Sequence, residues 1–89
     1  MTQEIGLSLD DLVRRGARQV IQRAIEAELE QLLEDYGNVK ILGGKQAVVR
    51  NGYLPERNIL TSAGSVTVKV PKVRDRTGNG VKFNSAIVP

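Results

Sequence analysis

The chain has 89 residues and a formal charge of +3, with 40% hydrophobic residues but neither cysteine nor histidine. Without those two residue types, disulfide scaffolds, thiol nucleophiles, histidine-dependent triads and cysteine or histidine metal sites are excluded. No run approaches the roughly 20 apolar residues of a membrane span, and the acidic start at residues 1–4 lacks the apolar core of a signal peptide. We therefore expect a cytoplasmic location without membrane contact, and we predict no cofactor and no small-molecule substrate.

The charge is divided unevenly along the chain. Residues 1–36 carry four basic and eight acidic residues, a net charge of −4, whereas residues 37–89 carry nine basic and two acidic residues, a net charge of +7. Such an asymmetry indicates an anionic partner for the second half. A solvated surface with segregated charges is the alternative interpretation.

Residues 1–36 have the pattern of a long helix. Ser8 is positioned to cap its N-terminus, Asp11 stands at the capping-box position, and Gly37 follows the C-terminal end. Apolar residues recur every four positions, so the apolar stripe winds around a helix of about 3.6 residues per turn. The pattern indicates either two helices broken near Gly16 or one helix that touches different partners along its length.

This helix is predicted to be an assembly segment. A small chain without disulfides or metals often needs oligomerisation, and the second half offers few large apolar side chains to cover the helix. We therefore expect a homodimer, with a helix folded over its own sheet as the alternative. The predicted dimer contacts are Val13, Val20, Ile21, Ile25, Leu29, Leu32 and Leu33.

The second half begins with a predicted linker at residues 37–46. Its Gly43-Gly44-Lys45 sequence lacks the spacing of a Walker phosphate loop, so nucleotide binding is not expected. A short strand is predicted at residues 47–50. Asn51-Gly52 after it is predicted to form a turn, because this dipeptide suits positive φ.

The remaining chain is predicted to form a small antiparallel hairpin with basic loops. Residues 59–61 and 66–70 are expected to pair, since valines alternate with polar residues in the second run. Pro71 is expected to end this hairpin, residues 72–80 to form a loop, and residues 81–83 to form a last short strand. The predicted fold class is therefore α+β, with residues 47–89 as a basic β-hairpin segment.

Three acidic residues on the helix have a spacing that could bind a cation. Glu26, Glu30 and Glu34 follow one helix face at intervals of four residues. A solvated acidic face is the favoured interpretation, because no ligand from another element is visible. Basic residues on loops and on a two-stranded ribbon, which fits the major groove, favour double-stranded DNA as the partner. The three aromatic residues are too few to stack on single strands.

A longer pattern covers most of the chain. Its most specific part is Arg50-Asn51-Gly52-Tyr53 with Pro55 and Arg57, and a helical stretch at residues 12–29 precedes it. The pattern continues with Thr61, Gly64, Val66, Val68, Val70, Pro71, Arg74 and Asp75. This order resembles the N-terminal region of Mutator-type transposases of bacterial insertion sequences.

The resemblance implies binding of the terminal inverted repeats of the element. In that family a later domain with an RNase H-like fold carries the acidic metal-binding triad, so this chain is expected to be a DNA-binding fragment and not an enzyme. For Asn51 a turn role is favoured over base contact. The predicted DNA contacts are Arg50, Asn51, Arg57, Lys69, Lys72, Arg74 and Arg76.

Two other functions remain open from the sequence. In the first, residues 8–36 would serve mainly for dimerisation, and the protein would be a truncated regulator of a full-length transposase. A free-standing ribbon-type transcription regulator that binds a promoter palindrome is the second. Arg14, Arg15 and Arg18 form either a second basic patch or ion pairs with Asp10 and Asp11.

Overall fold

The computed structural model describes residues 8–89, which form one helix and four strands. Helix α1 spans Leu9–Asp35, and strands β1 to β4 span Val48–Tyr53, Arg57–Thr61, Gly64–Val68 and Pro71–Asp75. The α+β fold class predicted from the sequence is confirmed. The part of the predicted helical segment before Ser8 lies outside the described residues.

Helix α1 begins where the sequence predicts. The Ser8 hydroxyl accepts a hydrogen bond from the Asp11 N–H at 3.1 Å, and the Asp11 carboxylate accepts one from the Ser8 N–H at 3.2 Å. The Ser8 N–H is the first cause that lowers the pKa of Asp11 below its ordinary value. The Asp11 carboxylate also forms an ion pair of 2.6 Å with Arg14, three positions further along the helix, instead of with Arg15, four positions further along.

The helix is unbroken through Gly16, so the two-helix alternative is wrong. A glycine inside a helix costs about 1 kcal/mol relative to alanine, which the continuous hydrogen-bond ladder on both sides outweighs. One helix therefore meets different surroundings at its two ends, which explains the winding apolar stripe.

Two antiparallel pairs of strands pack beside the helix. Strand β2 pairs with β3, and Ile59 lies opposite Val66, so the predicted hairpin is confirmed, although β3 ends at Val68 and does not reach Val70. Strand β1 pairs with β4, with Val49 opposite Arg74. The hairpin ends before Pro71 as predicted, at Val68, but Pro71 then begins a further strand. The predicted loop at residues 72–80 is wrong over Lys72–Asp75, because these residues pair with β1, which precedes the β2–β3 hairpin in the sequence.

The core is built by the C-terminal half of the helix against the hairpin and the last residues. Its buried members are Ile25, Leu29, Ile59, Val66, Val68, Val70, Phe83 and Val88. Because Ile25 and Leu29 are fully buried within the chain, they are unavailable as dimer contacts, and their predicted role is corrected. Ile21, Leu32 and Leu33 also pack against this core. The C-terminal half of the helix is thus folded over the strands of its own chain.

The last nine residues form no strand, contrary to the expectation at residues 81–83. Their backbone donors bond to side chains instead of to a ladder. Asp75 accepts from the Val81 N–H at 3.1 Å, and Glu28 accepts from the Ala86 N–H at 2.8 Å. Phe83 meanwhile anchors the segment in the core.

Candidate nucleic-acid interface

A bulge in strand β1 sorts the signature residues onto two faces of the β1–β4 ribbon. Arg50 lies opposite Val73 and Tyr53 opposite Pro71, so Asn51 and Gly52 together oppose the single residue between them on β4. Gly52 has φ +71°, which a glycine adopts without strain. The prediction of a turn at Asn51-Gly52 is therefore wrong, although its basis in positive φ holds for Gly52.

The bulge brings Arg50 and Tyr53 to the same face, which is the face toward the helix. Without the extra residue, side chains three positions apart would point to opposite faces of a strand. The Arg50 guanidinium donates to both carboxylate oxygens of Glu26, at 2.6 and 2.9 Å, and to the Tyr53 hydroxyl at 2.6 Å. It also lies 5.1 Å from the centre of the Tyr53 ring. Arg50 thus links strand β1 to helix α1.

The electrostatics of this pair favour both charged forms. The hydrogen bond from Arg50 lowers the pKa of Glu26 below its ordinary value. The same bond raises the pKa of Arg50 above the ordinary arginine value. Glu26 is therefore an ion-pair partner, and the interpretation of Glu26 as part of a solvated acidic face does not hold for this residue.

The opposite face of the ribbon carries exposed basic side chains. Lys72 and Arg74 are exposed and alternate on β4 with the half-buried Val73 and Asp75, so they point away from the core. Arg76 continues this alternation beyond the strand and is also exposed, while its guanidinium donates to the Gln46 carbonyl at 3.4 Å. Successive members are separated by about 6.7 Å along an extended chain. We call Lys72, Arg74 and Arg76 the outer stripe.

The other predicted contacts lie elsewhere. Arg57 is at the start of β2 and donates to the main-chain oxygen of Pro89. The ammonium of Lys69 lies 5.7 Å from the centre of the Tyr53 ring, on the helix-facing side of the ribbon. Asn51 is exposed in the bulge opposite Lys72. The structure thus brings Asn51, Lys72, Arg74 and Arg76 together and separates them from Arg50, Arg57 and Lys69.

Sequence reasoning missed two lysines in the predicted linker. Residues 39–46 form a small hairpin, in which Lys40 pairs with Gln46 and the Ile41 N–H donates to the Lys45 carbonyl at 2.9 Å. Lys40 and Lys45 are both exposed, and the Arg76–Gln46 bond joins this hairpin to the end of the outer stripe. The only sequence signal was the Gly-Gly-Lys tripeptide, which suits a tight turn as well as a phosphate loop.

The helix also covers the free edge of β3. Arg18 donates to the Thr67 carbonyl at 2.8 Å, while the Gln22 amide both donates to the Lys69 carbonyl at 2.7 Å and accepts from the Lys69 N–H at 3.1 Å. These bonds satisfy backbone groups that would otherwise invite another strand. Arg18 is therefore occupied by a structural contact instead of by an acidic partner.

A groove of about 470 Å³ lies between the first turns of the helix and the β2–β3 hairpin. Its lining includes Arg14, Arg15 and Arg18 together with Glu56. Arg14 is paired with Asp11. Both earlier interpretations of these arginines thus hold in part: they cluster, and one of them is in an ion pair.

Residues 8–89 show neither a metal-binding cluster nor a membrane-spanning helix. That part of the chain contains no group of three acidic side chains arranged to hold a metal ion. The single helix described there is too polar over its length to cross a membrane.

Comparison with known proteins gives one result. A family model for the transposases of the Mutator family matches residues 1–89, the whole chain. No curated protein and no solved structure matches it.

Proposed function

The chain belongs to the Mutator family of transposases, and from this membership we propose that it binds the double-stranded DNA of the element ends through the outer stripe. The observation that carries the proposal is the position of Lys72, Arg74 and Arg76. These side chains alternate on one exposed face, without a carboxylate partner among residues 8–89. Lys40 and Lys45 extend the same basic surface.

The chemistry of this surface suits a phosphate backbone. Lysine and arginine side chains that neutralise phosphates release condensed counterions, which gives affinity for any sequence. A two-stranded ribbon fits within the major groove, where Asn51 beside Lys72 has the donor and acceptor to read an adenine edge. Arg50 is held by Glu26, and we assign it the role of orienting the ribbon instead of contacting DNA.

Selection of bound duplexes from randomised DNA at low salt tests the proposal. The selected sequences should match the inverted repeats of the element that encodes the chain. If the five basic residues each neutralise one phosphate, the logarithm of the binding constant should fall with the logarithm of salt concentration at a slope of about −4.5. Affinity that is independent of salt, or no bound duplex at low salt, refutes the proposal. Selection of a palindrome unrelated to the element ends would favour the ribbon-type transcription regulator.

Assembly through the first half of the helix is the second proposed function. Leu9, Leu12, Val13 and Val20 are about half exposed or more, unlike Ile21 and the later apolar residues of the helix that pack on the core. Val13 and Val20 are seven positions apart, a spacing that aligns them on one face for a second helix. We propose that two copies pair along this face, which would also let a short chain join a full-length transposase.

Sedimentation equilibrium at micromolar concentration tests the pairing. The wild type should be a dimer, and Val20→Glu should be a monomer because the charge would be buried between helices. Leu60→Glu is the matched control, since Leu60 is 88% exposed on the hairpin, away from the helix face, and should leave the dimer intact. A monomeric wild type excludes this mode of assembly.

We also propose that these 89 residues bind DNA without cutting it. The resemblance assigns the catalytic carboxylates of the family to a later domain, and the carboxylates of Glu26, Glu28 and Asp75 are each engaged in hydrogen bonds within the chain. Incubation with labelled element-end DNA and Mg²⁺ or Mn²⁺ should leave the strands intact. Strand nicks that depend on the protein and the metal would contradict the assignment.

A further inference from the structure

The hairpin of residues 39–46 ends in an exposed leucine. Leu42 is 99% exposed at its apex, and the Gly44 N–H closes the turn by donating to the Ile41 carbonyl at 3.0 Å. The base of this hairpin is fixed by the Ala47 N–H, which donates to the Val39 carbonyl at 3.0 Å. An apolar side chain is therefore held outward by an ordered turn.

The apex is narrow. Gly43 and Gly44 follow Leu42 with φ +91° and +79°, and nothing lies within 4 Å of where a side chain would begin at either glycine. A turn of this shape presents Leu42 without bulky neighbours after it. The minor groove of B-form DNA is only about 6 Å wide, so a contacting element must be narrow at its tip.

The apex is flanked by positive charge on both sides. Lys40 lies opposite Gln46 in the hairpin, whereas Lys45 lies opposite Ile41 in the next pair. Successive pairs in a ladder point to opposite faces, so the two lysines lie on opposite faces of the hairpin. One lysine is thus available for the phosphates on each side of a groove that receives Leu42.

We propose that Leu42 is an apolar wedge that enters the minor groove and inserts between base pairs, with Lys40 and Lys45 on the flanking phosphates. Wedges of this kind unstack a base step and kink the duplex, and leucine is among the side chains that act so. The inference rests on the proposed DNA binding by the outer stripe, to which the Arg76–Gln46 bond joins the hairpin. Insertion of Leu42 into a pocket of another protein is the competing explanation.

Permanganate oxidation of thymines tests the wedge, because the reagent attacks bases that are unstacked. The full chain is bound to duplexes selected at low salt, and the thymine reactivity is compared with that of the Leu42→Ala variant. Leu60→Ala is the matched control, since Leu60 is also a nearly fully exposed leucine but lies on a flat strand. Neither side chain is part of the core, so both variants should fold.

The wild type and Leu60→Ala should increase thymine reactivity at one step of the bound duplex, preferentially at a flexible TA step. Leu42→Ala should bind with an affinity within about tenfold of the wild type, because the gain from burying Leu42 and the cost of unstacking the bases offset each other. Its thymine reactivity should stay at background, because no side chain unstacks the bases. Binding by the wild type without increased reactivity overturns the wedge alone and favours the protein pocket. Equal reactivity with Leu42→Ala also overturns it, whereas absence of any bound duplex refutes the DNA-binding proposal together with the wedge.

Discussion

Removal of the Glu26–Arg50 pair should destabilise the fold by about 1 kcal/mol. The two hydrogen bonds of 2.6 and 2.9 Å form a bidentate, charge-assisted contact, which is stronger than a single neutral bond. The side chains are nevertheless 31% and 38% exposed, so solvent screening reduces the gain to the upper part of the range for surface pairs. Glu26→Gln and Arg50→Gln should each lose about this amount.

A double-mutant cycle in urea measures the coupling. With a slope of about 1.5 kcal/mol per molar urea, each single variant should shift the midpoint by roughly 0.7 M. The double variant should unfold near the midpoint of either single variant, since the interaction can be lost only once. A coupling energy below about 0.3 kcal/mol would refute the assignment of Arg50 as a link between strand and helix.

The pair should also make stability depend on pH. The hydrogen bond from Arg50 lowers the pKa of Glu26 in the folded chain below its ordinary value of 4.5. The contribution is therefore complete above pH 4.5 and is lost as the pH falls through the lower folded value. The Glu26→Gln variant should lack this part of the loss of stability at low pH. A dependence of its unfolding free energy on pH that is parallel to that of the wild type would contradict the pairing.

Three further substitutions test the packing by urea unfolding. Ile25→Ala should lose about 2 to 5 kcal/mol because Ile25 is fully buried, and a loss below about 1 kcal/mol would place it outside the core. Gly64→Ala should lose about 1 to 3 kcal/mol, since φ is +106° and the new Cβ would lie 3.3 Å from Cδ of Arg14; an unchanged midpoint would contradict that strain. Gln22→Ala should lose about 1 kcal/mol and aggregate more readily at high concentration, as it uncovers the Lys69 backbone; unchanged solubility would contradict the edge-covering role.

The features predicted from the sequence are those with local signals. The capping box at Ser8 and Asp11 fixed the start of the helix, and the alternating valines of the β2–β3 hairpin fixed its pairing across a short turn. The end of the helix near Gly37 was likewise indicated by residues close in the sequence. Each of these elements depends on neighbours within a few positions, which a single sequence displays directly.

The features that were missed depend on pairing between distant residues. Strand β4 looked like a loop because its partner, β1, is distant in the sequence, with the whole β2–β3 hairpin between them. The Asn51-Gly52 pair has the same positive φ in a bulge as in a turn, so the dipeptide alone did not distinguish them. Once the bulge is present, Arg50 turns toward the helix and leaves the exposed face to Lys72 and Arg74.

Pairing between distant residues also explains why only some of the predicted DNA contacts lie on the exposed face of the ribbon. Net charge identified the basic half but not which side chains are already occupied within the chain. Arg50 and Arg57 are basic in the sequence but bond to Glu26 and to the Pro89 main chain in the fold. Only the pairing of strands separates a structural arginine from one that is free to contact phosphate.

The salt dependence of DNA binding tests the central claim that the outer stripe contacts DNA and that Arg50 does not. Each lost phosphate contact changes the slope by about 0.9, so Lys72→Gln with Arg74→Gln should make it shallower by about 1.8. Arg50→Gln, confirmed to be folded by circular dichroism, should leave the slope near the wild-type value. An unchanged slope for the double variant, or a slope for Arg50→Gln that is shallower by as much, would contradict the assignment.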